Sequence, residues 1–180
     1  MLRRKRVLLL VAVAAAAALT SAVVAELSPG TKAPDFTLPT LDGGKFTLST
    51  CFSKAPKKVV LLDIWATWCP PCRSEIPFLI KLRDKFKKNE VVVVGVSIDR
   101  GKEEVVKFVK EQKINYTVAH DPNAKTVGEP YKVSAIPATY IIDKKGVIRH
   151  ADVGFPRDEQ QGKQKAAEME RQIKALLKEK

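Results

Sequence analysis

Two cysteines separated by two prolines are the residues whose types and spacing are most typical of covalent chemistry in this chain. The run Trp68-Cys69-Pro70-Pro71-Cys72 follows a strand-like apolar segment, Val59–Trp65, and precedes a helical pattern of apolar residues. A cysteine at a helix N-terminus faces unpaired N–H groups and the positive end of the helix dipole, and both favour the thiolate. The thiolate is the nucleophile of disulfide exchange. Strand, turn, C-x-x-C and helix together therefore predict a redox-active dithiol.

Two other roles for the cysteine pair fit the sequence less well. A zinc site needs four ligands, commonly two such pairs, and the remaining candidates, Cys51, His120 and His150, form no second pair. A purely structural disulfide between Cys69 and Cys72 would close a very short loop, which removes little entropy from the unfolded chain. We therefore predict no metal site, and no cofactor other than the redox-active Cys69–Cys72 disulfide.

Cys51 is left over from an odd count of three cysteines. It lies between a strand pattern and a short helical turn, and we interpret it as a small buried apolar residue. A regulatory thiol or an intermolecular bridge is the alternative.

The first 25 residues have the pattern of a targeting segment. Arg3-Arg4-Lys5-Arg6 is followed by an apolar, alanine-rich run, Val7–Ala25, with small residues before Glu26. This pattern predicts a signal peptide cleaved after Ala25, or else an uncleaved N-terminal membrane anchor. In both cases the basic residues hold the N-terminus inside, and a single domain over residues 26–180 is exported. We therefore predict a periplasmic or otherwise extracytoplasmic location.

The chain is strongly basic, with 32 Lys and Arg residues against 20 Asp and Glu residues and a formal net charge of +12. Much of this charge is lysine scattered along predicted helices and at the C-terminus, which is typical of solvated faces. No nucleic-acid recognition motif accompanies it, so we predict no nucleic-acid partner. A weak attraction to anionic lipid or to an acidic protein remains open.

Strand and helix patterns alternate along the chain, and this indicates an α/β domain with a mixed sheet. The apolar run of Val59–Trp65 is typical of a central strand buried on both faces. The predicted elements are a hairpin around Asp42-Gly43-Gly44, strands at Val59–Trp65, Val91–Ile98 and Tyr116–Ala119, helices after Cys69 and at Lys102–Gln112 and Lys125–Tyr131, a hairpin of Pro137–Ile142 with Val147–Val153, and a helix from about Asp158.

Three motifs carry a resemblance to a known family: Pro34–Leu38, Asp63–Cys72 and Ile136–Tyr140. They resemble the thioredoxin superfamily and, more closely, the exported TlpA/ResA-like proteins of its redoxin group. The resemblance covers roughly residues 29–155. It implies a thioredoxin-like fold: a mixed β-sheet flanked by helices on both faces, with an N-terminal hairpin and a helix–strand insertion before the cis-proline strand. The segment Tyr116–Tyr131 fits that insertion.

The resemblance also assigns roles around the cysteines. It implies that Cys69 is the attacking cysteine, that Cys72 is the resolving one, and that Pro137 is the cis-proline lying against them. A cis bond there would expose the backbone of Ile136 for pairing with a substrate strand. The residues expected to contact substrate are Trp68, Pro70, Pro71 and Ile136.

Two acidic residues near the motif are further candidates. In thioredoxins an acid at the position of Asp63 relays a proton to the resolving cysteine, and an apolar setting would raise its pKa. A glutamate at the position of Glu75 marks ResA-like proteins, where it lies near the active site. The alternatives are a strand-end acid with a structural partner for Asp63, and a surface acid early in a helix for Glu75.

The resemblance implies a monomeric thiol-disulfide oxidoreductase that acts mainly as a reductant of protein disulfides. Its electron donor would be a membrane protein of the DsbD/CcdA type, and its substrates could include apocytochrome c during cytochrome c maturation or metal-site cysteines. A peroxiredoxin-like antioxidant is an alternative, although the expected Pro-x-x-x-Thr-x-x-Cys is absent, since Leu62 and Ala66 stand at its Pro and Thr positions. A copper-site chaperone is another, although the related Sco type has C-x-x-x-C.

Overall fold

A computed structural model of the protein describes residues 27–86 and 90–179. The expected targeting segment, residues 1–25, lies outside the described residues. The chain forms a two-stranded hairpin and a five-stranded mixed sheet in the order β5-β4-β3-β6-β7. The elements are β1 (Thr37–Pro39), β2 (Lys45–Thr47), α1 (Thr50–Ser53), β3 (Val59–Trp65), α2 (Pro70–Lys85), β4 (Val91–Ser97), α3 (Lys102–Glu111), β5 (Thr117–His120), a 3₁₀ turn (Pro122–Ala124), β6 (Ala138–Ile142), β7 (Ile148–Val153) and α4 (Glu159–Lys178).

The central strand β3 carries the site at its carboxyl end. All seven of its residues are buried, as the continuous apolar run predicts. It pairs in parallel with β4 and antiparallel with β6. Asp63, in the middle of this apolar strand, is thereby placed between Gly95 on β4 and Thr139 on β6.

Each face of the sheet is covered by its own apolar core. The successive crossovers β3–α2–β4 and β4–α3–β5 run in the same direction across the sheet, so right-handed connections place α2 and α3 on the same face. Residues of α4 join that core. The opposite face packs against α1, the β1–β2 hairpin and the segment around Val127 and Tyr131. The mixed sheet with helices on both faces is thus confirmed, with the longer helices all on one side.

The predicted helix at Lys125–Tyr131 is wrong. A 3₁₀ turn covers Pro122–Ala124, and a series of turns follows it. Positive φ angles at Asn123 and Ala124 separate the 3₁₀ turn from this segment, and another at Lys132 follows its end. The Asp121 carboxylate accepts the backbone N–H groups of Thr126 and Val127. The N–H groups of Glu129 and Val133 donate to carbonyl oxygens five residues back, at Ala124 and Gly128, so the regular hydrogen bonds of an α-helix do not form. Among the described residues, no helix is long and apolar enough to cross a membrane.

Candidate active site

Cys69 and Cys72 form a disulfide at the start of α2. Cys69 is the N-cap residue, and its Sγ accepts the backbone N–H of Cys72 at 3.2 Å. Pro70 and Pro71 occupy the first two helical positions, where the missing N–H and fixed φ of proline are tolerated. The Cys72 amide is therefore the first backbone donor of the helix that can reach the Cys69 sulfur.

Both cysteines are shielded from solvent in this oxidised form. Cys69 is only 3% exposed and Cys72 is fully buried. The reason lies in the segment before β6, because the carbonyl oxygen of Ile136 lies 3.5 Å from the Cys69 Sγ.

The Ile136–Pro137 peptide bond is cis, as the sequence comparison with thioredoxins predicts for Pro137. The carbonyl of Pro137 accepts the N–H of Gly154 at 2.7 Å, which ties this turn to the end of β7. Ile136 is only partly buried, so its backbone borders both the disulfide and the surface. This is the placement needed for pairing with an extended substrate segment.

Asp63 and Glu75 are brought together beneath the disulfide, on the face of the sheet covered by α2. Both side chains are 1% exposed, so the interpretation of Glu75 as a surface acid is wrong. Glu75 lies three residues after Cys72 on α2 and therefore on the same side of the helix. Its Oε1 accepts the hydroxyl of Thr139 at 3.0 Å, and Thr139 is the register partner of Asp63.

Burial controls the protonation of both acids. It raises the pKa of Glu75 to about 7, although the Thr139 hydroxyl and the charge of Lys165 favour the ionised form. Burial raises the pKa of Asp63 well above its usual range, and the adjacent Glu75 charge raises it further. We conclude that Glu75 ionises first, because it has the hydroxyl donor and a nearby cation, and that Asp63 holds its proton longer.

Two further residues, Trp65 and Tyr116, complete this buried polar cluster, and nothing in the sequence motifs pointed to Tyr116. The Trp65 Nε1, the Tyr116 hydroxyl, one oxygen of Asp63 and one of Glu75 make no hydrogen bond within the described part of the chain. Burial raises the pKa of Tyr116, and the two acids add to this shift. Gly95 gives these rings their space, because a Cβ atom there would lie 2.9 Å from Trp65 Nε1 and 3.1 Å from Tyr116 Cε2.

The loop between β3 and Cys69 is held by a buried aspartate that sequence reasoning missed. The Asp99 carboxylate accepts the Thr67 backbone N–H at 3.0 Å and its hydroxyl at 2.6 Å. The Ser97 hydroxyl donates to the same carboxylate at 2.7 Å. Asp99 follows β4, so this network fixes the loop before Cys69 to the neighbouring strand. The signal in the sequence that could have found Asp99 is an aspartate placed directly after an apolar strand pattern.

A groove of about 670 Å³ adjoins the disulfide. Its lining is mostly apolar and includes Ile64, Trp68, Ile98, Val133 and Ile136. Trp68 is 66% exposed, so it does not pack into the core as Trp65 does. Exposed aromatic surface beside a reactive centre is typical of a contact surface for another molecule. Pro70 is also exposed, and Pro71 is partly buried.

The third cysteine lies apart from this site, whereas His120 contacts the aspartate that holds the loop before Cys69. Cys51 is a free thiol buried in the opposite core, as expected, and burial raises its pKa. His120 Nε2 lies 2.8 Å from the Asp99 carbonyl oxygen. Across residues 27–86 and 90–179, no group of three or more His, Cys, Asp or Glu side chains is arranged to hold a metal ion.

Known proteins resemble this chain in sequence and in fold. A model of the AhpC/TSA family matches residues 29–151. The thioredoxin-like protein YneN of Bacillus subtilis is 37% identical, over 71% of this chain and 73% of that protein. The thiol-disulfide oxidoreductase ResA of Bacillus cereus is 33% identical, over 73% of each.

Solved structures agree with the sequence relatives. A crystal structure from Chlorobium tepidum, named as a thiol:disulfide interchange protein DsbE, superposes with a TM-score of 0.73. It is 34% identical, and the match covers 84% of this chain and 99% of that one. The matched sequence, fold and disulfide lead to one assignment: the chain belongs to the AhpC/TSA family and is a thioredoxin-like thiol-disulfide oxidoreductase of the ResA type.

Proposed function

We propose that this protein reduces disulfide bonds of other polypeptides outside the cytoplasm through the Cys69–Cys72 dithiol. One observation carries the proposal: the disulfide lies at the start of α2, 3.5 Å from the Ile136 carbonyl oxygen, with buried Asp63 and Glu75 behind it. The basic and apolar pattern of residues 3–25 supports export, with the domain either released or anchored.

The reaction has two exchange steps. The Cys69 thiolate attacks one sulfur of a substrate disulfide, a mixed disulfide forms, and the other substrate sulfur leaves as a thiolate. Cys72 then gives its proton to a buried carboxylate, and its thiolate attacks the Cys69 sulfur. The second substrate thiolate leaves, and the Cys69–Cys72 disulfide forms. Two electrons pass from the dithiol to the substrate, whose thiolates each take up a proton.

The surface around the disulfide fits an extended polypeptide. The Ile136 backbone can pair with a substrate strand, while the groove beside Trp68 accepts an apolar side chain near the substrate cysteine. Apocytochrome c and precursors of metal sites present cysteines in unfolded segments and are the substrates proposed here. A membrane donor of the DsbD/CcdA type would restore the dithiol of this monomeric protein by the same exchange.

Trapping of mixed disulfides tests the proposal. The Cys72→Ala variant lacks the resolving thiol and should accumulate adducts with exported polypeptides, which reducing agent then releases. The Cys69→Ala variant is the matched control and should form none. If only the Cys69→Ala variant formed adducts, Cys72 would be the attacking cysteine and Cys69 the resolving one. Absence of adducts, together with rapid peroxide consumption by the unaltered protein, would favour a peroxiredoxin-like activity instead.

A further inference from the structure

Lysines are concentrated at the end of the molecule opposite the disulfide. The seven residues of β3 span about 20 Å, and Cys69 lies beyond the carboxyl end of that strand. The strand register brings the loop before Val59 and the turn between β6 and β7 together at its amino end. The lysines in or beside these loops include five that are here named the basic pole: Lys32, Lys54, Lys57, Lys144 and Lys145.

In the part of the chain that the structure describes, the lysines of the basic pole have no carboxylate partner of their own, because two acids at this end, Asp143 and Glu179, pair with Arg149. Among the described residues, none of the five lysines forms an ion pair with a carboxylate, whereas several lysines elsewhere do. Lys32 donates to the backbone carbonyl of Lys145. Lys144 donates to the carbonyl oxygens of Leu177 and Glu179 at 2.8 and 2.7 Å. These contacts hold the ammonium groups in place without cancelling their charge.

A cavity of about 370 Å³ opens at the basic pole. Four of the five lysines line it, around an apolar floor that includes Leu48 and Phe52. The acid in its wall, Asp35, is already engaged, since its carboxylate accepts the N–H groups of Phe36 and Ser49 at 2.9 and 2.8 Å. The cavity therefore offers cations to a ligand that carries negative charge.

The apolar N-terminal run leads directly to this end of the molecule. Lys32 bridges to Val147, and the Gly30 N–H donates to the Ile148 carbonyl at 2.8 Å, beside the β6–β7 turn. The run Val7–Ala25 ends five residues before Gly30, a distance of at most about 18 Å along an extended chain. Whether the run stays in the membrane as an anchor or is cleaved off there, that membrane would lie next to the basic pole.

We propose that the basic pole is a docking surface for the anionic phospholipid headgroups of a bilayer. Lysine ammonium groups donate to phosphate oxygens, and each lysine near an anionic surface raises affinity roughly fivefold. Docking at this end directs the disulfide away from the bilayer, toward polypeptides in the adjoining compartment. Salt screens the contact, so it is reversible, and the domain can turn to meet a donor in the membrane. This property is independent of the proposed reductase function.

Vesicle sedimentation tests the docking surface. The chain from Glu26 onward contains every described strand and helix and both cores, so it can be used without the apolar run. It should bind phosphatidylcholine vesicles that contain phosphatidylglycerol, bind pure phosphatidylcholine vesicles far more weakly, and dissociate in high salt. Joint substitution of Lys54, Lys57 and Lys145 by glutamine should weaken binding roughly 100-fold, which is the product of three fivefold losses.

A control triple of equal charge separates the basic pole from overall charge. Lys102, Lys110 and Lys125 are exposed, and their joint substitution by glutamine should leave binding within a few fold. Equal loss in both triples, or binding that does not depend on phosphatidylglycerol, would overturn the proposal. Both triples should keep full disulfide-exchange activity, so a negative vesicle result would leave the reductase proposal standing.

Discussion

Two buried carboxyls behind the disulfide differ in their surroundings. Glu75 has a hydroxyl donor, Thr139, and the charge of Lys165, whereas Asp63 must ionise beside Glu75. Near neutral pH the pair therefore carries its charge on Glu75, which lies one turn beyond Cys72 on α2. Among the described residues, Glu75 is the better placed acceptor of the Cys72 proton, although the position of Asp63 is the one that thioredoxins use.

Substitution of each acid by its amide should separate their roles. At pH 7 we expect Glu75→Gln to slow resolution of the mixed disulfide by roughly 10- to 100-fold, a typical range for loss of a general base. Asp63→Asn should slow it less, because burial and the Glu75 charge both raise the pKa of Asp63, so that Glu75 ionises first. Stopped-flow kinetics of substrate release measures both, with circular dichroism as a check on folding. If both variants released substrate at the same rate as the unaltered protein, the two acids would have only a structural role.

The hydroxyl of Thr139 should set the pH at which Glu75 works. Thr139→Val removes the 3.0 Å hydrogen bond but keeps the side-chain shape, so the pKa of Glu75 should rise further. The pH profile of resolution should then move upward by roughly one unit, since a hydrogen bond to a charged group contributes about 1.5 kcal/mol or more. Thr139→Ser retains the hydroxyl and should restore the original profile. If Thr139→Val left the pH profile of resolution unchanged, the hydrogen bond from Thr139 to Glu75 would have no effect on the reaction.

The prolines between the cysteines should make the dithiol reducing. Pro70 and Pro71 lack N–H groups, so only the Cys72 amide is seen to contact the Cys69 sulfur at the helix start. A thiolate with fewer donors is less stable, and the reduced form is disfavoured. We expect a potential below roughly −200 mV, and Pro71→Ala should raise it by roughly 30 mV. Equilibration with glutathione measures both, Pro77→Ala serves as a control outside the motif, and a value near −120 mV would contradict the argument.

At the scale of elements, β3, β4 and β6 position the carboxyls as much as α2 does. Parallel pairing with β4 places Gly95 beside Asp63, and antiparallel pairing with β6 places Thr139 on its other side. The absent side chain at Gly95 leaves space for the rings of Trp65 and Tyr116 above the strand. The polar cluster is therefore a product of register, which no single motif contains.

Gly95→Ala should destabilise the domain by about 1–3 kcal/mol, the usual cost of forcing extra volume into a packed core. The added Cβ would lie 2.9 Å from the Trp65 Nε1, so the ring must move. Urea unfolding followed by tryptophan fluorescence measures the loss. Gly44→Ala is a suitable control, because the nearest atom to its Cβ is the Thr40 hydroxyl at 3.2 Å, near the surface hairpin. Similar stability of both variants would show that Gly95 is not needed for packing.

For the whole molecule, the sequence predicted what depends on local patterns. The buried run of β3, the two hairpins and the helix after Cys69 follow from apolar periodicity and turn residues. The pairing of Glu75 with Thr139 and the position of Tyr116 beside the acids depend on contacts between residues distant in sequence. The same holds for the basic pole, whose lysines come from three separate segments. The wrong helix at Lys125–Tyr131 arose because apolar spacing does not show which carbonyl each N–H group reaches, and here Glu129 and Val133 donate five residues back rather than four.

The buried acids should make the whole domain less stable as the pH rises. Glu75 has a pKa of about 7 in the folded state, against an ordinary value of 4.5. Between these values the folded protein retains a proton that the unfolded chain releases, so the free energy of unfolding falls with increasing pH. The fall due to Glu75 is about 3 kcal/mol by pH 7, and Asp63 adds to it in the same direction because its pKa is raised too.

Urea unfolding of the oxidised protein between pH 4.5 and pH 8 measures this dependence. The double variant Asp63→Asn, Glu75→Gln retains both side-chain shapes but cannot release these protons, so its stability should fall far less over that range. Substitution of the exposed acids Glu103 and Glu111 by glutamine is the matched control and should keep the dependence of the unaltered protein. If the double variant loses stability as steeply as the unaltered protein, the two acids are ionised in the folded state at low pH, and the proton relay assigned to Glu75 loses its basis.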